Sequence, residues 1–261
     1  MDSNILVIGN QTTVFIGALP DIGEHAHAAA VIALSLQGNK IGVRYLPNGD
    51  WQDQQAYFTH AETRNEMRQY GHDLACIAIE PDSHFHQQCV KKYGFHENRL
   101  FIFDADLERL RSVLRQFSNK PTDPDSLCLD VVNAVLGDEL STSNSIDPRV
   151  EQCVERIKMN LGENISASEL AEEVKLTERQ LSTLFRQGLG VPVRKYRLWL
   201  RLKSVARLVN DGVNLTDAAL DSGFTDSAHF SNSFRKLLGL APTDFLASKK
   251  PLMLFASSDF V

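Results

Sequence analysis

The sequence feature that most constrains the fold is an internal repeat in the last part of the chain. The segment Phe185-Arg186-x-x-Leu189-Gly190 recurs as Phe234-Arg235-x-x-Leu238-Gly239 at an offset of 49 residues. Upstream in each copy, Leu176-Thr177 corresponds to Phe224-Thr225 at an offset of 48. Because apolar residues recur at helical spacing around these positions, the repeat predicts two similar helical units, each with a tight turn.

Start and stop signals divide each copy into two helices. Ser166–Glu169 and Thr177–Gln180 both have the capping-box pattern, in which two side chains satisfy free backbone N–H groups. In the second copy, Asn214–Phe245 contains a turn at Ser222-Gly223-Phe224 and ends its second helix at Gly239. Two short helices joined in this way are typical of a helix-turn-helix motif.

A basic segment joins the two copies. It spans residues 192–210, contains no acidic residue, and is 19 residues long. As one helix it would be about 28 Å long, a suitable strut between two reading helices that enter successive major grooves of DNA roughly 34 Å apart. Its basic residues are Arg194, Lys195, Arg197, Arg201, Lys203 and Arg207.

Charge is divided unequally along the chain. The net charge is −6, but residues 1–147 have 11 Lys+Arg and 20 Asp+Glu, whereas residues 148–261 have 16 and 13. The first part is therefore at −9 and the second at +3. This asymmetry indicates two domains, of which the second has an anionic partner such as DNA.

Residues 148–249 resemble the AraC/XylS family of transcription regulators. The residues that carry this resemblance are Ile165, Leu170, Ala171, Leu181, Phe185, Arg186, Gly190, Pro192 and Tyr196, then Ala219, Gly223, Phe224, His229, Phe230, Ser231, Phe234, Arg235, Gly239, Pro242 and Phe245. The resemblance covers about 100 residues and implies an all-α domain of seven helices with two helix-turn-helix motifs. It implies a sequence-specific regulator, typically an activator and a homodimer, with promoter DNA and RNA polymerase as partners. It also implies a cupin-like N-terminal domain that senses a small-molecule effector.

The resemblance assigns base and phosphate contacts to the outward faces of the two reading helices. In the first, spanning 178–187, Leu181, Leu184 and Phe185 should face inward. In the second, spanning 226–238, Phe230, Phe234 and Leu237 should do so. The candidate DNA contacts are Arg179, Ser182, Thr183, Arg186, Ser227, Ala228, Ser231, Asn232 and Arg235. Arg179 can pair with guanine and Asn232 with adenine, whereas Arg186 and Arg235 suit phosphates. His229 is expected to pack beside the turn.

The first part of the chain is predicted to be β-rich to about residue 103, as a sandwich or barrel. Apolar runs at 5–9, 13–19, 29–38, 40–46 and 74–80 alternate with turn signals, and 83–93 is a candidate helix. Amphipathic helices then follow in 104–139, and these could cap the β domain, form a dimer interface, or do both. We expect domain 1–139, a polar linker at 140–147, and a DNA-binding domain over 148–261.

Four residues of the β-rich region are candidates for an effector pocket: His25, His27, Arg44 and His60. His25 and His27 share one face of a strand, and with His60 they resemble part of a cupin metal site. The acidic ligand of that site is missing, because the ten residues after His27 contain none. We therefore expect no metal and no cofactor, and a regulator rather than an enzyme. The competing hypothesis is a metal-dependent cupin enzyme with an accessory helical domain.

The remaining composition is that of an ordinary globular protein. No leader pattern or membrane-spanning apolar run is present in the sequence, so a cytoplasmic protein is expected. Cys76, Cys89, Cys128 and Cys153 form no C-x-x-C pair and are expected to be buried, reduced thiols.

Overall fold

Two β-sheets form the N-terminal domain of the computed structural model, which describes residues 2–93, 104–137, 146–246 and 250–257. Its strands are β1 (Asn4–Ile8), β2 (Thr12–Gly17), β3 (Ile22–Ala26), β4 (Ala30–Ser35), β5 (Ile41–Tyr45), β6 (Gln52–Gln54), β7 (Ala56–Thr59), β8 (Arg64–Arg68) and β9 (Leu74–Ile79). One sheet contains β1, β2, β9, β4 and β7, and the other has the order β3-β8-β5-β6. The two sheets pack through an apolar layer that includes Ile41, Val43 and Met67. The expected β-rich architecture is confirmed.

The apolar runs correctly located five strands, but the most polar strands gave no apolar signal. β6 is Gln-Asp-Gln and fully exposed, and β8 alternates exposed Arg64 and Arg68 with buried Asn65 and Met67. Both lie in the smaller sheet, one face of which is open to solvent. A polar sequence is sufficient there because backbone pairing holds the strand.

Three helices cover the larger sheet: α1 (His84–Tyr93), α2 (Asp104–Asn119) and α3 (Pro124–Leu136). The apolar stripes of α2 and α3, including Leu110, Leu114 and Val131, share one core with β1, β2, β4 and β9. The expectation that these two helices cap the β domain is confirmed. Residues 140–145 of the predicted linker, and residues 138–139 at the end of the predicted helical segment, lie outside the described residues.

Seven helices follow in residues 148–246, as the resemblance implied. They are α4 (Pro148–Met159), α5 (Ala167–Glu173), α6 (Glu178–Leu189), α7 (Val193–Asn210), α8 (Leu215–Asp221), α9 (Ser227–Leu238) and α10 (Pro242–Leu246). Both capping boxes form, at Ser166 and at Thr177. The N-cap of α4 is Asp147, followed by Pro148 at the first helical position, as predicted. Helix α7 has 18 residues and is therefore about 27 Å long.

The chain then returns to the N-terminal domain. Strand β10 (Leu252–Ala256) pairs in parallel with β1 and becomes the edge of the larger sheet. Lys250 adds an ion pair with Asp73, 2.6 Å between Nζ and Oδ1. The predicted DNA-binding domain therefore does not extend unbroken to residue 261. The run Leu-Met-Leu-Phe-Ala is apolar enough for a strand, but its sequence carries no information about which sheet edge is available.

The two helix-turn-helix units differ in how they meet the β domain. Among the described residues, the core of the first unit consists of residues from 146–200, with only Ala61 added from outside. The core of the second unit includes Ala28, Ala29 and Val31 from the β domain, together with Trp199, Phe224 and Phe230. The second unit therefore shares one hydrophobic core with the N-terminal domain. In the described part of the chain, no helix is long and apolar enough to cross a membrane.

Candidate nucleic-acid interface and effector cavity

The first candidate reading helix is α6. Its capping box fixes the start, and Leu181 and Phe185 are buried against the rest of the unit. The four predicted contact residues of this helix, Arg179, Ser182, Thr183 and Arg186, are all exposed on the opposite face. Neither arginine makes a side-chain hydrogen bond or ion pair with any described residue, so both guanidinium groups can contact DNA.

Thr183 presents a methyl group rather than a free hydroxyl donor. Its Oγ1 donates to the carbonyl oxygen of Arg179, 3.0 Å away. The hydroxyl proton is therefore used within the helix, and the methyl group can pack on the methyl of a thymine. Gly188 lies inside the helix, where an added Cβ would be 3.3 Å from Cγ2 of Ile146. Glycine, a weak helix former, thus permits close packing of the segment that precedes α4.

The second candidate reading helix is α9. Its N-cap Asp226 accepts from the backbone N–H of His229 at 2.7 Å, and this bond lowers the pKa of the Asp226 carboxyl. Phe230 and Leu237 are buried, as predicted, and Phe234 is half-buried. Of the five predicted contacts, Ser231 is half-buried and four are exposed: Ser227, Ala228, Asn232 and Arg235.

Sequence reasoning missed Lys236, which is also exposed and has no partner among the described residues. It follows Arg235 in the last turn of α9. A basic residue next to one already assigned to phosphate is a signal that could have identified it.

The turn before α9 is fixed by packing. Gly223 has a φ of +88°, which favours glycine, and a Cβ there would lie 2.9 Å from the Arg201 guanidinium. His229 packs its ring on Phe224, 5.3 Å between centroids, and its Nδ1 lies 3.2 Å from the Thr225 hydroxyl. The structural role expected for His229 is confirmed.

Several basic side chains of α7 form hydrogen bonds and ion pairs within the protein and are therefore not available to bind a partner. Arg201 is buried and donates to the carbonyl oxygens of Leu161 and Glu163, each at 3.0 Å, beside the turn of the second unit. Arg197 donates to the carbonyl oxygen of Ile165. The remaining buried cation, Lys203, faces the β domain. The positive charge of this helix therefore contributes less to an anion-binding surface than its sequence suggested.

A buried polar cluster lies where α7 meets the β domain. Lys203 Nζ is 2.8 Å from Glu80 Oε1 and donates to the Gly9 carbonyl oxygen at 3.1 Å. Glu80 also accepts from Thr13 Oγ1 at 2.8 Å and from Trp199 Nε1 at 2.9 Å. The side chains of Lys203 and Glu80 are 4% and 2% exposed. The acidic N-terminal domain thus supplies the counter-charge of a basic helix inside the same chain.

An apolar cavity of about 170 Å³ adjoins this cluster. The β domain contributes Phe15, Met67 and Cys76 to its wall, β10 contributes Leu252 and Leu254, and α7 contributes Trp199 and Lys203. The inward face of α9 contributes Phe230, Phe234 and Leu238. Among the described residues, the helices of the first unit contribute nothing to this wall. The cavity is therefore bounded by the β domain and by the back of the second reading helix.

Of the four predicted pocket residues, His25 and His27 line this cavity, whereas Arg44 and His60 do not. Arg44 is paired with Glu66 and lies over the Trp51 ring, 5.0 Å from its centroid. His60 packs on Phe58 at 4.7 Å between ring centroids. Within the described ranges, no three His, Cys, Asp or Glu side chains are grouped so that they could hold a metal ion. Burial lowers the pKa of His27 to about 3, and its Nδ1 has no hydrogen-bond partner among the described residues.

The cysteines are free, as expected. Cys89, Cys128 and Cys153 are buried and Cys76 is half-buried. Burial raises the pKa of Cys76 to about 12 and that of Cys128 to about 11, so these thiols are protonated at neutral pH.

Comparison with known proteins shows which proteins the helical region is similar to. Residues 170–248 match the model of a helix-turn-helix domain. XylDLEGF operon transcriptional activator 1 of Pseudomonas putida is 34% identical over 108 residues, which is 40% of this chain and 33% of that protein. The chain thus spans about a third of the length of this relative. The resemblance of the C-terminal region to the AraC/XylS family is confirmed.

Solved structures extend the likeness to the whole fold. A single-residue variant of ToxT from Vibrio cholerae, solved in its apo form, superposes with a TM-score of 0.63 at 12% identity, covering 92% of this chain and 98% of that one. Wild-type ToxT bound to an unsaturated fatty acid gives 0.56 at 13% identity, covering 91% and 95%. A β-rich domain followed by a double helix-turn-helix domain is therefore a known arrangement.

Proposed function

We propose that this chain is a sequence-specific DNA-binding transcription regulator of the AraC/XylS type, controlled by a small molecule in the cavity behind its second reading helix. The observation that carries the proposal is the pair of capped helices α6 and α9. Both have buried apolar faces and outward basic side chains without partners in the described chain. Unpaired guanidinium groups beside small polar side chains suit a DNA groove and its phosphates.

Because most residues on the outward faces of α6 and α9 are small, we assign base contacts and phosphate contacts to different side chains. Ser182, Thr183, Ser227 and Ala228 offer few strong base contacts, so Arg179 and Asn232 carry most direct readout. Arg186, Arg235 and Lys236 hold phosphates and set the salt dependence of binding. DNA shape contributes the remaining selectivity.

The effector acts on the second reading helix from behind. Phe230 and Phe234 line the cavity on the inward face of α9, while Asn232 and Arg235 are exposed on its outward face. A ligand that moves these two rings would therefore reorient the DNA-contacting residues without touching them. ToxT, which shares the fold, has been solved with a fatty acid bound, and this supports an effector role for such a domain.

The proposed biological role is based on the names of the similar proteins. The name of the Pseudomonas putida protein describes an operon activator, so we propose activation through RNA polymerase at promoter DNA. We further propose that a homodimer forms through the α2–α3 pair, where Leu129 is 59% exposed. The protein would act in the cytoplasm as a regulator and not as an enzyme, with a cupin-like sensing domain that needs no metal.

The test is selection of genomic fragments by the full-length protein, followed by affinity measurements on the selected site at two salt concentrations. Arg179→Ala should cost about 1–3 kcal/mol and relax the preference at one base pair. Arg186→Ala should weaken binding to all sequences and reduce the salt slope by about 1. The matched control is Arg68→Ala, an exposed arginine on β8 outside the reading helices and the α2–α3 pair, which should change neither. If no fragment is enriched at low salt, the proposed function is wrong.

A further inference from the structure

The lining of the apolar cavity contains very few charged side chains, and this limits which ligands the cavity can bind. Its wall includes Phe15, Tyr57, Trp199, Phe230 and Phe234, with aliphatic side chains between them. Lys203 is the single permanently charged residue among the described residues that line it. An incoming anion could therefore be neutralised only by Lys203.

Lys203 already forms a buried ion pair with Glu80. Its ammonium lies 2.8 Å from the Glu80 carboxylate, and both side chains are almost fully buried. A ligand carboxylate that took Lys203 would leave Glu80 buried with a negative charge and no counter-ion. It would also place two carboxylates close together in an apolar site. Buried charges of this kind are strongly unfavourable, so the cluster rejects anions.

The two histidines of the wall do not supply a second cation. Burial lowers the pKa of both His25 and His27 below the ordinary value, and that of His27 reaches about 3. They are neutral at physiological pH and can offer only hydrogen bonds. Nδ1 of His27 is fully enclosed beside the cavity and has no hydrogen-bond partner among the described residues, so a ligand hydroxyl or N–H group that displaces a neighbouring side chain would satisfy it.

Resting on the proposed function, we infer that the effector is an uncharged, largely apolar molecule with one hydrogen-bonding group, and that carboxylic acids are excluded while Glu80 is paired with Lys203. The cavity volume of about 170 Å³ suits on the order of ten non-hydrogen atoms, since an engineered 150 Å³ apolar cavity holds benzene. The ligand class therefore differs from the fatty acid bound in ToxT.

The experiment compares two probes with the same skeleton, 2-phenylethanol and phenylacetate, by calorimetric titration of the full chain at neutral pH. Wild-type protein should bind the alcohol at least tenfold more tightly than the acid. Glu80→Gln removes the negative charge, while its amide oxygen can accept from Trp199 Nε1 and its NH2 group can donate to the Thr13 hydroxyl. This variant should bind phenylacetate at least tenfold more tightly than wild type does. The double variant Glu80→Gln/Lys203→Met removes both charges and should again reject the acid.

Each outcome decides the inference. Equal or tighter binding of phenylacetate by wild type would overturn it, as would failure of both probes to bind. If Glu80→Gln does not fold, the wild-type comparison still gives the answer. DNA affinity of the same wild-type sample, measured without either probe, tests the proposed function separately. Loss of DNA binding would count against the regulator, whereas a carboxylate preference would count only against the ligand class.

Discussion

Replacing Lys203 with Met should destabilise the protein far more than the same change at Lys195, eight residues earlier on α7. Both lysines pair with a glutamate of the β domain, Lys203 with Glu80 at 2.8 Å and Lys195 with Glu62 at 2.5 Å. The first pair is 4% and 2% exposed and the second 33% and 28%. Exposure is therefore the main difference between two otherwise similar ion pairs.

The expected magnitudes follow from that exposure. Without Lys203, the Glu80 carboxylate keeps its donors Thr13 and Trp199 but loses its counter-charge, at a cost of about 3–5 kcal/mol. Loss of the half-exposed pair at Lys195 should cost about 1 kcal/mol or less, because solvent screens it. The double variant Glu80→Gln/Lys203→Met should recover much of the loss, since no buried charge remains.

The assay is urea unfolding of the four proteins at pH 7, followed by circular dichroism and by tryptophan fluorescence. Fluorescence combines Trp199, which lies in the interface, with Trp51, which directly precedes strand β6 of the smaller sheet, while circular dichroism reports on the whole chain. Coincident transitions justify a two-state free energy. A loss at Lys203→Met no larger than at Lys195→Met would refute the claim that this pair is electrostatically buried.

Three further predictions concern other parts of the structure. Deletion of residues 250–261 should lower the unfolding midpoint and promote self-association in light scattering, because β1 becomes an unpaired sheet edge; a deletion that leaves both unchanged would show that β10 is dispensable. Gly239→Ala should cost about 2–5 kcal/mol, since φ is +75° and the new Cβ would lie 2.3 Å from Ile22 Cγ2, whereas Gly212→Ala, with φ +90° and no neighbour within 4 Å, should cost about 1–2 kcal/mol. Burial lowers the pKa of His86 to about 4, so its contribution to stability is complete above about pH 6.5 and is lost as the pH falls towards 4. This loss should reach about 2 kcal/mol at pH 5, and His86→Gln should flatten the dependence of stability on pH between 6.5 and 5.

The reading surface could be predicted largely from the sequence. Helix periodicity separates Leu181 and Phe185 from Arg179 and Arg186, and the structure buries the first two residues and exposes the others. Local rules suffice because a helix fixes which residues share a face. Whether the exposed residues contact DNA as proposed stays a prediction.

The charges of α7 could not be assigned from the sequence. Six basic residues on one helix are compatible with a nucleic-acid surface, yet Arg201 and Lys203 are buried. Burial of a cation depends on a distant acceptor, such as Glu80 or the Leu161 carbonyl oxygen, and no pattern within the helix reveals that acceptor. The prediction that Arg44 and His60 line the cavity failed for a similar reason. A position in or next to a strand does not tell which way the side chain points in the folded protein.

The sequence by itself determined the two helix-turn-helix units, their caps, their turns and the β-rich character of the first domain. These features depend on local periodicity and on short-range hydrogen bonds such as the capping boxes at Ser166 and Thr177. Only the tertiary structure decided that β10 returns to β1, that the second unit shares its core with the β domain, and that a cavity lies between them. The physical reason is that these contacts join residues far apart in the chain, and their partners are selected by burial and charge in three dimensions.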